Sequence, residues 1–265
     1  MNNFCRSCEK LLVDSVRDRL LDFYSSYREY PAFQNEANKG DLWNPILHEL
    51  NTRIKTASNT ISILELGAGC SGLYKYLQSH RNRLIYHSHD VTPVNRAFLE
   101  KVSDAVFIGD PQFISGKYDI ICSTFVWEHV SSPHMLLDHL YKLLTPGGCL
   151  LIISPRYDFP FYLSPSCRNR SWIQRFLLSI LLCVRRLRVH ISGNADFLID
   201  LRPAVLELPF YRDADAIHWV SWFDLRASLP QGYKLSRLSF PASGFRERFW
   251  KRFLLLGAKI RNEKV

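Results

Sequence analysis

Apolar residues recur along this chain in two rhythms, and the switch between them marks the elements. Ile61, Ile63, Leu64 and Leu66 form a short, partly β-branched run, as expected of a strand covered on both faces of a parallel sheet. Leu73, Tyr76 and Leu77 then return at helical spacing. The succession repeats. Residues 84–90, 105–108 and 118–123 read as further strands, and Leu136, Leu137, Leu140, Leu143 and Leu144 follow at helical spacing. Thr145-Pro146-Gly147-Gly148 stops that helix, and residues 149–154 make a fifth apolar strand. This alternation predicts a doubly wound α/β domain with a mostly parallel sheet and a ligand across the carboxyl ends of its strands.

The junction at residues 61–77 carries the chemistry. Gly67 and Gly69 let the backbone turn tightly and approach a ligand where a Cβ would collide. The following helix aims its first amides at the same place, a ready site for a carboxylate or phosphate. The run from Gly67 to Gly72 also satisfies G-x-G-x-x-G, so the loop alone does not separate a nicotinamide enzyme from an S-adenosylmethionine enzyme. Glu65 discriminates, because a carboxylate at the strand's end suits a cofactor with a positive amino group and repels a pyrophosphate. Asp90 closes the second strand, where it can accept both ribose hydroxyls. Asp110 follows Gly109 after the third strand, where it can accept from the exocyclic amine of an adenine. Either aspartate, taken singly, also suits a turn or helix cap.

In this order the chain resembles the class I S-adenosylmethionine-dependent methyltransferases, especially their small-molecule branch. The resemblance covers residues 61–155. It rests on Glu65-Leu66-Gly67-Ala68-Gly69, Asp90, Gly109-Asp110, Tyr118-Asp119-Ile120-Ile121, Trp127-Glu128-His129-Val130 and Leu144-Thr145-Pro146-Gly147-Gly148. It implies a Rossmann-like, seven-stranded sheet whose last strand is antiparallel, with S-adenosyl-L-methionine as cofactor. Glu65, Gly67, Ala68 and Gly69 would hold the methionine part, Asp90 the ribose and Asp110 the adenine, with Ser123 at the end of the fourth strand a further contact. Ser71 departs from the pattern, since many members place a third glycine there.

Composition agrees with one enzyme-sized domain, because 265 residues with 47% hydrophobic content can bury a substantial core. Seven scattered cysteines and the lack of a secretory leader pattern predict a cytoplasmic protein with free thiols. Cys5-Arg6-Ser7-Cys8 has no second pair or histidines at zinc spacing, so no metal is expected. Residues 11–30 predict an amphipathic helix, with Leu12, Val16, Leu20 and Phe23 on one stripe, that helps cover the cofactor pocket.

The organisation expected is a helical segment over residues 1–58, the cofactor core over 59–155, a basic helical lid over 156–217, and completion of the sheet over 218–265. No acidic residue lies between Phe159 and Ala195, whereas Arg168, Arg170, Arg175, Arg185, Arg186 and Arg188 bracket the apolar run 176–184. That run is far short of the roughly 20 residues a membrane span needs. It fits either a peripheral contact with the inner face of an anionic membrane through residues 171–190 or a lid helix with solvated ends. The apolar stretch 253–256 predicts the closing strand. A net charge of +9 raises nucleic acid as a partner. Interleaved leucines and the absence of an RNA-binding module disfavour it, and leave a small-molecule, glycan or lipid-linked acceptor.

The resemblance implies methyl transfer from a sulfonium, with alignment and water exclusion supplied by the protein. A hydroxyl acceptor also needs a base, for which His129 and His218 are the candidates, with Tyr157 and Asp158 behind them. Both histidines equally suit a structural role beside a helix. Two other readings stay open: a nicotinamide-dependent oxidoreductase, and a non-catalytic methyltransferase-fold protein acting as a membrane-associated partner.

Overall fold

The computed structural model describes residues 2–26 and 40–264, with side chains for 11–26 and 41–264. The chain runs α1 (Asn2–Ser26), α2 (Asn44–Thr56), β1 (Ile61–Leu66), α3 (Leu73–Leu77), β2 (Leu84–Asp90), α4 (Arg96–Val102), β3 (Ala105–Ile108) and β4 (Tyr118–Thr124). It continues with α5 (Pro133–Leu143), β5 (Leu144–Pro155), α6 (Trp172–Ser192), α7 (Trp222–Ala227), β6 (Tyr233–Arg237), α8 (Phe245–Phe249) and β7 (Leu255–Asn262).

The seven strands lie in the order β3-β2-β1-β4-β5-β7-β6. Pairings from β3 through β5 are parallel, and β7 is antiparallel to both β5 and β6. The strand order reverses beside β1, between β2 and β4, which is where a doubly wound sheet opens its ligand crevice.

Alternation explains why the middles of the central strands are apolar on both faces. Leu64, Ile121 and Leu150 enter one core with Trp127, Leu137, Leu140 and Leu225, under α5 and α7. Their neighbours Ile63, Ile120 and Leu151 enter the opposite core with Ile46, Leu50, Leu73 and Leu77, under α2 and α3. Each strand thus serves two layers, so neither face tolerates a run of polar residues. Two smaller clusters secure the insertion. Val16, Leu20 and Tyr24 of α1 pack on Val205, Ala214 and Ile217, while Leu182 of α6 packs on Tyr157, Cys167, Ala216 and Trp219.

Several boundaries differ from the sequence expectation. The run expected as a strand over 253–256 is split, because Trp250–Leu254 closes as a π-helical turn and the β5 pairing begins at Pro155 opposite Leu255. Helix α7 starts at Trp222, where the Ser221 hydroxyl accepts from the Phe223 amide and caps it. The leading helix begins at Asn2, with Leu12 exposed and Val16 and Leu20 buried; its expected end past residue 26 and the side chains of Cys5 and Cys8 lie outside the described residues. Cys122, Cys149, Cys167 and Cys183 are free thiols.

Two tryptophans separate core from surface. Trp127 is fully buried and Trp172 is 71% exposed. Trp127→Ala should lower unfolding free energy by about 3–5 kcal/mol in urea titration, and Trp172→Ala should change it by less than about 0.5 kcal/mol.

Candidate active site

At the carboxyl edge of β1 the chain leaves the sheet through Gly67 and Gly69, both left-handed, with φ of 67° and 52°. A Cβ on Gly67 would stand 2.5 Å from the side chain of Val126, a stiff β-branched neighbour. The turn is fixed to the next strand where the Ala68 amide donates to the His89 carbonyl at 2.8 Å. Strand ends carrying Glu65 and Asp90 are thereby brought to one cleft.

That cleft, of about 180 Å³, is lined by Glu65, Gly67, Ala68 and Gly69 from β1 and its turn, and by Asp90, Thr92 and Asn95 beyond β2. Phe125, Val126 and His129 line it from the β4 side, and Tyr24, Arg212, Asp213 and Asp215 from the covering segments. Glu65 is 4% exposed and accepts from the Tyr86 hydroxyl at 2.5 Å. Burial raises its carboxyl to about 7, against hydrogen bonds from Ser71 and Tyr86. Burial likewise raises Asp90, which accepts from the Thr92 amide at 3.2 Å and Asn95 Nδ2 at 3.3 Å. Among the described residues no cation pairs with either carboxylate.

The opposite wall is built around His129, which a one-turn helix, Trp127–His129, delivers immediately after β4. Its Nδ1 lies 3.3 Å from Asp215 Oδ2 and 3.2 Å from the Asp215 carbonyl. Its Nε2 is 4.0 Å from Glu128 Oε1. Burial opposes charge on the imidazole, but the Asp215 and Glu128 carboxylates outweigh it and carry His129 up to about 8. Burial also raises Glu128, whose Oε2 accepts from the Ser154 hydroxyl at 2.9 Å, to about 7. Asp215 receives a second donor, the Tyr24 hydroxyl at 2.9 Å, and Asp213 receives the Tyr157 hydroxyl. Phe125 and Asp213 both hold left-handed backbone, with φ of 56° and 60°, and both face the cleft.

Five of the expected cofactor residues, Glu65, Gly67, Ala68, Gly69 and Asp90, therefore share one cleft with His129. Three other expected residues stand outside its lining. His218 is fully buried, bonds the Trp127 carbonyl through Nδ1 at 2.9 Å, and is driven by burial down to about 4. Its Nε2 is buried without a hydrogen-bond partner among the described residues. Ser123 is buried in the sheet with its hydroxyl unbonded, and Asp110 is an exposed cap that accepts from the Gln112 amide. Of the weaker candidates, Asp158 is occupied by Arg156 and Arg186, and Tyr157 acts on Asp213. Sequence reasoning missed Tyr24, Asp213 and Asp215. The one local signal was the close pairing of two acids in Asp213-Ala214-Asp215.

A doubly wound sheet with an acid-flanked glycine turn at its switch point defines a class I S-adenosylmethionine-dependent methyltransferase. A family model described as a methyltransferase domain matches residues 33–224, and the chain belongs to that family. The nicotinamide oxidoreductase reading is thereby set aside. Among curated proteins, probable polyketide synthase 1 of Dictyostelium discoideum is 30% identical over 171 residues, which is 62% of this chain and 5% of that protein. The chain thus spans only a small fraction of the relatives' length. The plantazolicin methyltransferase BamL, solved with a triazolic desmethylPZN analog and SAH, superposes with a TM-score of 0.57 at 13% identity, covering 97% of this chain and 99% of that one. The plantazolicin methyltransferase BpumL in the corresponding complex gives 0.51 at 14% identity, covering 95% and 97%. These two likenesses establish the fold.

The cleft's protonation has a consequence for stability. His129 binds its proton more tightly folded than unfolded, so its contribution is complete below about pH 6.5 and is lost as pH rises through about 8. Glu65 and Glu128, raised to about 7, lose stability in the same direction. The urea midpoint of the ligand-free protein should therefore fall from about pH 4.5 to 8, and His129→Gln should flatten the part of that fall between about pH 6.5 and 8.

Proposed function

We propose that the cleft binds S-adenosyl-L-methionine through Glu65, the turn Gly67-Ala68-Gly69 and Asp90, and methylates a small-molecule acceptor at an oxygen with His129 as general base. The observation carrying this reading is the convergence of two cation-free buried carboxylates and the His129–Asp215 pair on one cleft. Bound there, the cofactor would supply an electrophilic methyl group on a positively charged sulfur.

The residues present fit that group. Glu65 is a buried acceptor without a cation, matched to an α-amino group, and the left-handed turn brings backbone amides close to a carboxylate. Asp90 offers carboxylate oxygen to paired hydroxyls. Asp110 is proposed for the adenine edge and Ser123 as a further contact, both by family resemblance, although neither lines the cleft.

Asp215 fixes the proton on His129 Nδ1, which leaves Nε2 to take the acceptor's proton as the carbon–oxygen bond forms. Tyr24, Trp43 and Phe210 supply apolar walls that exclude water. Arg212, exposed on the same rim, suits an acceptor that carries negative charge, such as a glycan or lipid-linked phosphate. We place the protein in the cytoplasm, where its free thiols are stable, with residues 171–190 available for peripheral membrane contact.

Two measurements test this reading. Near pH 6 Glu65 is largely protonated, so an ammonium ligand should expel its proton. Calorimetry of S-adenosylhomocysteine binding in buffers of different ionisation enthalpy should report proton release that Glu65→Gln removes, and Gly67→Ala should abolish binding. Loss of neither effect would put the cofactor elsewhere. For the base, kcat/KM should climb with pH to a plateau above about 8. His129→Gln should lower kcat by about 10²–10⁴-fold while leaving S-adenosylhomocysteine affinity unchanged, and an unchanged kcat would remove His129 from the reaction.

A further inference from the structure

We propose that the chain docks on an anionic phospholipid surface through a continuous face formed by α6, the loop at residues 156–164 and the segment from Phe245 to Leu254. The inference rests on surface chemistry and holds or fails independently of the catalytic reading.

Helix α6 buries Ser179, Leu182 and Val189 against the domain. Its other side presents Ile173, Leu177, Ile180, Val184, Leu187 and Ile191, all exposed, at alternating spacings of four and three. Trp172, Phe176 and Leu181 are exposed beside them. At about 100° per residue these positions spread over roughly half the helix circumference. A coiled-coil partner takes a narrow stripe, whereas a half-cylinder is what an apolar boundary wets when a helix lies along it. Soluble surfaces rarely expose so large a contiguous patch. The helix contains no acidic residue, and a capping box at Ser171 and a left-handed Gly193 close its ends. No described helix is long and apolar enough to cross a membrane, so the geometry is that of an element lying in the headgroup boundary.

The face continues beyond α6. Phe161, 72% exposed, stacks loosely on Phe176 at 6.1 Å between ring centres. Two residues away Phe159 approaches Phe253 at 6.4 Å, and Phe253 meets Phe249 at 5.0 Å. Phe245, Phe249 and Phe253 repeat at four-residue spacing and are all exposed. They alternate with Arg246, Arg248, Lys251 and Arg252 against a single acid, Glu247.

Beside this segment opens a second cleft of about 330 Å³, lined by Arg156, Arg237, Arg248, Lys251 and Arg252 with Trp222. Lys251 pairs with Glu247, Arg156 gives its Nε to Asp158, and Arg237 lies over the Trp222 ring. Arg248 and Arg252 form no ion pair with any described carboxylate, as a phosphate receptor requires. Apolar side chains that can enter acyl chains thus lie beside cations that can hold lipid phosphates. Charge complementarity selects an anionic bilayer over an apolar protein partner.

The test is co-sedimentation of the full chain with vesicles of equal parts phosphatidylcholine and phosphatidylglycerol, against phosphatidylcholine alone. Binding should favour the anionic vesicles by about tenfold or more and weaken as salt rises. Arg248→Glu with Arg252→Glu should cut it at least tenfold, and so should Leu177→Asp with Val184→Asp, while S-adenosylhomocysteine affinity stays unchanged. All four side chains are exposed, and the arginine pair decides the matter if the α6 variant fails to fold. Three results would overturn the proposal: no binding to anionic vesicles, equal binding by the arginine variant, or a lipid-free dimer in sedimentation velocity that the α6 variant dissolves. The last would assign the apolar face to a second copy of the chain.

Discussion

The left-handed turn at Gly67 is the constraint on which the site depends. The Val126 side chain occupies the space a Cβ would need, and the adjacent Ala68 amide is tied to the carbonyl of His89. With the turn held from both sides, the ends of β1 and β2 stay in register and Glu65 and Asp90 are kept at one cleft. Burying two carboxylates without a cation is costly unless a ligand supplies one or they stay protonated. The raised affinity of Glu65 for its proton is the ligand-free protein's answer to that cost.

How much of this was legible in the sequence depended on how local each cause is. The β1 run, the glycine turn and the helix after it are set by neighbours in the chain, so their residues announced both the element and its role. The strands β2, β3, β4 and β5 followed in sequence order, because each carries a short apolar run between helical or turn residues. The antiparallel β7 was foreseen through family resemblance, but its start was not. Phe253 and Leu254 look like strand residues, yet they close a π-helical turn in which Phe253 meets the rings of Phe159 and Phe249.

The surroundings of His129 were less legible because they are assembled from distant segments. His129 and Asp215 are separated by 86 positions, and Tyr24 and Asp215 by 191. No spacing rule links residues at such separations. The surroundings of His218 also come from elsewhere in the chain: Phe197 and Trp127 stand against its ring and the Trp127 carbonyl holds its Nδ1. Asp110 and Ser123 fit a family position, yet position along a strand does not decide which way a side chain opens.

The hydroxyl of Tyr24 joins the covering helix to the carboxylate that orients His129. A hydrogen bond donated to Asp215 draws off part of its negative charge, so the imidazolium beside it is held less firmly while the helix is seated. The covering helix and the imidazole of the opposite wall thus share one carboxylate, so a change at Tyr24 reaches His129 through Asp215.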